Sequence, residues 1–81
     1  MKVYIAYEGC HNIRHEPIYN ILGVYVDRGK AIERVEQSID SFDDVEVREN
    51  VSTMVWIKQW YGEIVDVGIV EEHEVIEDTD I

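Results

Sequence analysis

One segment of this chain has the periodicity of an amphipathic helix, and the segments on both sides of it have the periodicity of strands. In the helical segment, apolar residues fall at spacings of three, four and three, which places them on one stripe. They are Ile32, Val35, Ile39 and Phe42. Asp27 precedes them at an N-cap position, where its carboxylate accepts a hydrogen bond from the first turn. A single helix between strands predicts a sheet that is covered by this helix on one face.

The predicted strands are recognised by period-two alternation or by runs of β-branched and aromatic residues. They are residues 2–8, 18–26, 45–47, 51–60 and 64–76. Residues 9–17 form a loop or a wide hairpin connection that ends in the only proline, residues 61–63 form a tight turn, and the helical pattern ends at residues 43–44. The fold class is therefore α+β, a two-layer sandwich with a four- to five-stranded, mainly antiparallel sheet and one helix in the order ββαββ.

Two irregularities are predicted within the strands. Gly23 interrupts the second strand, which indicates a bulge or a close backbone approach. Glu71 lies on the apolar phase of the last strand, and the phase recovers at His73. We therefore expect a second bulge near Glu71 and Glu72.

The composition predicts one folded domain over residues 1–81, with residues 77–81 frayed. Hydrophobic residues make up 46% of the chain, too many for wholesale disorder despite a net charge of −11. No apolar run approaches the roughly 20 residues of a membrane span, and the first residues read as a strand and not as a signal peptide. Cys10 is the only cysteine, so an internal disulfide is excluded. These features predict a cytoplasmic protein with no membrane association.

Charge is distributed unevenly along the chain. Residues 1–35 carry five Lys or Arg against four Asp or Glu, whereas residues 36–81 carry two against fourteen. The second part is therefore near −12, which argues against direct binding of nucleic acid because phosphates would be repelled. Two interpretations of the carboxylates remain open: they keep a small domain soluble, or they imitate phosphates in the nucleic-acid groove of a partner.

The fourth predicted strand is apolar on both sides. Met54, Trp56 and Trp60 share one side, and Val51, Val55 and Ile57 share the other. One helix cannot cover two faces, so either the first set packs under a loop or it forms an exposed patch typical of a protein interface. The predicted binding residues are this set and the carboxylates of Asp43, Asp44, Asp66, Glu71, Glu72 and Glu74.

A short loop offers an alternative site. It contains thiol, imidazole and carboxylate groups, the ligand types that bind zinc, in Cys10, His11, His15 and Glu16. A structural zinc site normally combines two separate ligand pairs, and no second pair exists, so a polar surface loop explains these residues more simply. Catalysis by Cys10 with a neighbouring histidine is not expected, because adjacent residues of an extended segment point in opposite directions.

Several separated segments resemble a group of small uncharacterised phage and prophage proteins. The matching segments are residues 1–5, 21–27, 30–31 and 70–75. Members of the group begin with a strand, followed by a second strand in which Gly or Ala precedes Val and an aromatic residue. A helix then opens near a Lys-Ala pair, and the closing strand has an acidic and aromatic pattern. This chain differs by His73 at the aromatic position and by a longer Trp-rich hairpin. The resemblance implies the same fold and a phage or prophage setting, and it supplies no activity.

The sequence thus predicts a non-enzymatic protein-binding module without a cofactor, acting as a phage or prophage accessory or regulatory factor. Its partner would be a host or phage protein whose surface it occupies. Self-association through an uncovered sheet face or an edge strand, giving a homodimer, is one form of the same hypothesis. The alternative function is binding of a metal or small ligand by the loop of Cys10, His11 and His15.

Overall fold

The computed structural model describes residues 1–11, 17–39 and 44–76. Within these residues the chain forms five strands and one helix: β1 (Lys2–His11), β2 (Pro17–Tyr25), α1 (Arg28–Ser38), β3 (Val45–Glu49), β4 (Thr53–Trp60) and β5 (Glu63–Glu74). The strands make one antiparallel sheet in the order β2-β1-β5-β4-β3. The predicted α+β fold with one helix on a mainly antiparallel sheet is confirmed. Phe42, Asp43 and the predicted frayed end lie outside the described residues.

The first hairpin has longer strands than the sequence indicated. β1 continues through Gly9 to His11, and β2 already begins at Pro17. Pairing of His11 with Pro17 leaves residues 12–16 to connect the two strands. The predicted hairpin connection is therefore right in kind, and its bounds at 9–17 are wrong because backbone pairing extends past the polar residues where the alternation stops.

Helix α1 begins as predicted and ends earlier. The Asp27 carboxylate accepts a hydrogen bond from the Gly29 backbone N–H at 2.7 Å, which confirms the N-cap. The helix ends at Ser38, whose hydroxyl donates to the Val35 carbonyl at 2.7 Å. Ile39 is already extended. The apolar spacing suggested a helical pattern up to residues 43–44, but a serine that bonds the backbone of its own turn favours termination.

The core lies between α1 and one face of the sheet. Ala31, Val35 and Ile39 of the helix segment pack with residues of three strands, namely Ala6, Trp56 and Val70. The helix contacts β1, β2 and β5. It approaches the sheet closely at Gly68, where an added Cβ would overlap the Val35 side chain. A glycine at this position therefore lets the helix pack directly on the backbone of β5.

One of the two predicted strand irregularities is confirmed. The register of β1 with β2 shifts between the pairs Ala6–Gly23 and Tyr7–Ile21, which leaves Leu22 as an extra residue beside Gly23. No register shift occurs at Glu71, which pairs regularly with both neighbouring strands. The expected bulge there is wrong, because Glu71 simply occupies a position on the apolar side. The second shift lies instead where β4 meets β5, between Lys58 and Gln59.

The β4–β5 hairpin has a tight turn where the sequence predicts one, with two residues in place of the predicted three because Glu63 already belongs to β5. Trp60 pairs with Glu63, and the two residues between them have positive φ, 52° at Tyr61 and 79° at Gly62. Positive φ at both central residues is the signature of a type I′ turn, which favours Asn-Gly. A bulky aromatic residue at the first position is therefore held in a backbone conformation that it rarely adopts.

Replacing Tyr61 with Asn is expected to raise the free energy of unfolding by about 0.5–1 kcal/mol, because Asn adopts the left-handed conformation at lower cost. Urea denaturation followed by circular dichroism measures the change. Tyr61→Val is the matched control and should lower stability, because a β-branched residue is poorly tolerated at positive φ. Equal stability of the Asn and Val variants would show that this turn stores no strain.

Candidate interaction surface

The two faces of the sheet differ in what covers them. Ala6, Trp56 and Val70 point toward α1 and belong to the core. Because successive side chains of a strand alternate between faces, the residues next to them point to the opposite side. We call this opposite side the open face, since no described helix or strand packs against it.

Two apolar rows cross the open face from β2 to β4. Strand pairing aligns Ile21, Tyr7, Ile69 and Val55 in the first row, and Tyr19, Gly9, Val67 and Ile57 in the second. Side chains of directly paired residues lie on the same face with their Cβ atoms about 4.5–5.5 Å apart, and Gly9 contributes no side chain to the second row. Ile5 and Val24 add a further apolar pair. Because neighbouring strands lie about 4.8 Å apart, each row of four residues is roughly 14 Å long.

The apolar side chains of the open face are accessible to solvent. Tyr19, Ile21 and Val24 on β2 are 50%, 62% and 58% exposed, and the residues on β1, β4 and β5 are half-buried. A shallow depression lined by Tyr7, Tyr19, Ile69 and Glu71 lies between the rows. A contiguous exposed apolar area of this kind marks an interaction surface, whereas single exposed apolar residues need no explanation.

Charged residues of the open face are paired with one another; two lie on edge strand β3, and Glu71 lies within the face on the central strand β5. Among the described residues they are Glu46, Arg48, Glu71 and His73. Arg48 Nε donates to Glu46 at 3.1 Å, and this hydrogen bond and the carboxylate's charge raise the pKa of Arg48. His73 Nε2 lies 3.5 Å from Glu71. With His73 neutral, the open face carries a net charge of about −1, a small share of the −11 of the whole chain.

The two edges of the sheet are protected to different degrees. Edge strand β3 is short, and three of its five residues are charged, which discourages pairing with another strand. Edge strand β2 has nine residues and none of them is charged. The bulge at Leu22 interrupts the regular backbone hydrogen bonding of β2, so this edge is less suited to pair with a strand of another chain. The apolar surface is therefore more extensive on the open face than along either edge.

The structure places the predicted Trp surface differently from the sequence hypothesis. Trp56 is 1% exposed and lies in the core beneath α1, so it is not available to a partner. Met54 is half-buried and packs against the same core. Trp60 ends β4, and its side chain lies outside the description. The helix covers the side with the largest side chain because Trp56 and Val35 fill the layer over Gly68.

The predicted carboxylates do not form a single face. Asp66 and Glu72 point to the helix side, whereas Glu71 points to the open face. Asp44 precedes β3, and eight residues of β5, about 26 Å, separate Asp66 from Glu74. Several of these carboxylates also have partners: Glu72 lies 3.5 Å from Lys2 Nζ, and Glu74 lies 3.1 Å from the amino terminus. Asp43 lies outside the described residues.

The alternative metal site falls largely outside what the structure describes. Cys10 and His11 belong to the backbone of β1, and their side chains are not described. His15 and Glu16 lie in the undescribed stretch 12–16. Elsewhere in the chain, the described residues contain no group of three or more His, Cys, Asp or Glu arranged to hold a metal ion. Metal binding by this loop stays a prediction.

Within residues 1–11, 17–39 and 44–76, no helix combines the length and the apolar character needed to cross a membrane. Comparison with protein-family models, with curated proteins and with solved structures finds no match to this chain. The resemblance to small phage and prophage proteins therefore stays a prediction.

Proposed function

We propose that this chain is a small, non-enzymatic protein-binding module whose binding surface is the open face of its sheet. The observation that carries the proposal is the pair of apolar rows on this face, which cross four strands and remain accessible to solvent. Apolar and aromatic side chains that are grouped on one surface and interrupted by few charges are the arrangement found in protein interfaces. The partner would be a host or phage protein, a second copy of this chain included.

The carboxylates have a secondary role in this proposal. They are spread over both faces and several have cationic partners, so a rigid row of phosphate mimics is less well supported than an apolar contact. Their net charge keeps the domain soluble and selects against acidic partners. Affinity would come from burial of the apolar rows, less the cost of the freedom of motion that association removes.

Replacing Ile21 and Ile57 together with Lys is expected to abolish protein capture by the open face. Each substitution puts a charge into the centre of an interface, where an unpaired charge costs several kcal/mol. The measurement is affinity capture with the tagged chain, from host lysate and from the purified untagged chain, at low and high salt. Val47→Lys is the matched control because Val47 is an exposed strand valine on the helix side, 47% exposed.

Capture that persists in the double variant would contradict the proposal, as would the absence of any captured protein, the chain itself included. Capture that disappears at high salt in the unmodified protein would favour carboxylate-driven binding, because exposed charges separated by more than a Debye length of about 3 Å are screened at 1 M salt.

A further inference from the structure

We infer that the open face takes an arginine side chain of the partner protein, which docks in the shallow depression of this face. The depression is lined by Tyr7, Tyr19, Ile69 and Glu71. The inference rests on the proposed function and names the chemistry of the partner, a segment in which an arginine stands beside apolar residues. The apolar stem of the arginine would lie on the apolar rows, and its guanidinium would meet the carboxylate and an aromatic ring.

Glu71 is the carboxylate of the open face that has no permanently charged partner among the described residues. The other carboxylate of this face, Glu46, is bound by two nitrogens of Arg48, at 3.1 and 3.3 Å. Glu71 has His73 at 3.5 Å, and a histidine is charged only when it is protonated. The Glu71 side chain is 37% exposed, and a partly desolvated carboxylate attracts a cation more strongly than one in bulk water does. The net charge of this face is therefore that of Glu71.

Strand pairing places two tyrosines close to this carboxylate. Tyr7 pairs with Ile69, so Glu71, two residues further along β5, is the diagonal neighbour of Tyr7 on the open face. Tyr19 pairs with Gly9 and is in turn the diagonal neighbour of Tyr7. Diagonal neighbours lie about 7–8 Å apart, a distance that aromatic and long side chains can bridge. One carboxylate and two aromatic rings therefore follow a diagonal line across three strands.

Arginine matches this combination of groups better than other cations. Its planar guanidinium stacks on aromatic rings, pairs with a carboxylate through two nitrogens and is more weakly hydrated than the ammonium of lysine. The depression has a volume of about 220 Å³, below the roughly 300–1,000 Å³ of small-molecule sites, so it suits one side chain better than a free metabolite. The net charge of −11 would draw a basic segment toward the chain.

An NMR titration of the full chain tests the inference. The probe is N-acetyl-arginine amide, and N-acetyl-citrulline amide, which has nearly the same shape and no charge, is the control ligand. The arginine probe is expected to bind in the millimolar range and to shift the ring resonances of Tyr7 and Tyr19 and the methyl resonances of Ile69. The citrulline control should cause no saturable shift, because it offers no cation to the carboxylate or to the rings.

Substitutions separate the carboxylate from the rings. Glu71→Gln should raise the dissociation constant of the arginine probe at least about threefold. Glu72→Gln removes the same charge from the next residue, which points to the helix side, and should leave the constant within about twofold. Tyr7→Leu should raise it about two- to fivefold, because an aliphatic side chain lacks the negative face of a ring. Circular dichroism confirms folding, and Tyr19→Leu, at a position 50% exposed, replaces Tyr7→Leu if that variant does not fold.

A probe that shifts no resonance of the depression would overturn the inference, and so would one that binds Glu71→Gln as tightly as the unmodified protein. Glu71 would then serve only to keep an apolar face soluble. If Ile21→Lys with Ile57→Lys abolished protein capture while Glu71→Gln left it unchanged, the proposed function would stand and only the arginine would be excluded. Binding of the arginine probe without any captured protein would support the arginine site and contradict the proposed function.

Discussion

Trp56→Ala is expected to lower the free energy of unfolding by about 3–5 kcal/mol. The indole is 1% exposed and packs with Val35 and Val70 in a core that contains six buried residues among those described. Removing it deletes the largest fully buried side chain among the described residues and leaves a cavity over Gly68 that the short helix cannot fill. A domain of this length has a total stability of roughly 4–12 kcal/mol. The substitution should therefore remove about a quarter or more of the total stability, and a protein at the lower end of this range would be largely unfolded.

Urea denaturation measures this effect, with all proteins at one concentration because dimerisation would shift the apparent stability. Val51→Ala is the control, since this loop valine is fully exposed and should change the free energy by less than about 0.5 kcal/mol. The hypothesis that Trp56 anchors a partner makes the opposite prediction, in which Trp56→Ala leaves stability unchanged and weakens assembly. A stable but assembly-deficient Trp56→Ala variant would contradict the core position described here.

The fold was predictable from the sequence because its signals are local. Asp27 before the helix, alternation in β1 and β5, and glycine at the second turn position each report the conformation of a few neighbouring residues. Element ends were less predictable. The helix ends at Ser38 although the apolar spacing continues, because the serine hydroxyl bonds the backbone of its own turn. Strand β1 runs to His11 although its alternation stops, because pairing with β2 decides this end.

The binding surface was harder to predict, because sequence periodicity shows that a strand has two apolar sides but not which side the helix covers. Trp56 and Ile57 are neighbours with the same signal, and they lie on opposite faces. Gly68 is one sequence signal for which face the helix covers. It pairs directly with Trp56, and its missing side chain leaves the space that a helix needs to pack closely on the sheet. The expected bulge at Glu71 is absent because a single carboxylate on the open face, 3.5 Å from His73, leaves the alternation of β5 regular.

Gly68→Ala is expected to lower the free energy of unfolding by about 1–3 kcal/mol, because the added methyl group overlaps the Val35 side chain and pushes the helix away from the sheet. Val35→Ala alone should also cost about 1–3 kcal/mol, through the cavity it leaves. The two changes compensate in volume, so the double variant should be more stable than the sum of the single effects predicts, by about 0.5–3 kcal/mol. A double-mutant cycle in urea measures this coupling, and strict additivity would show that α1 does not pack on Gly68.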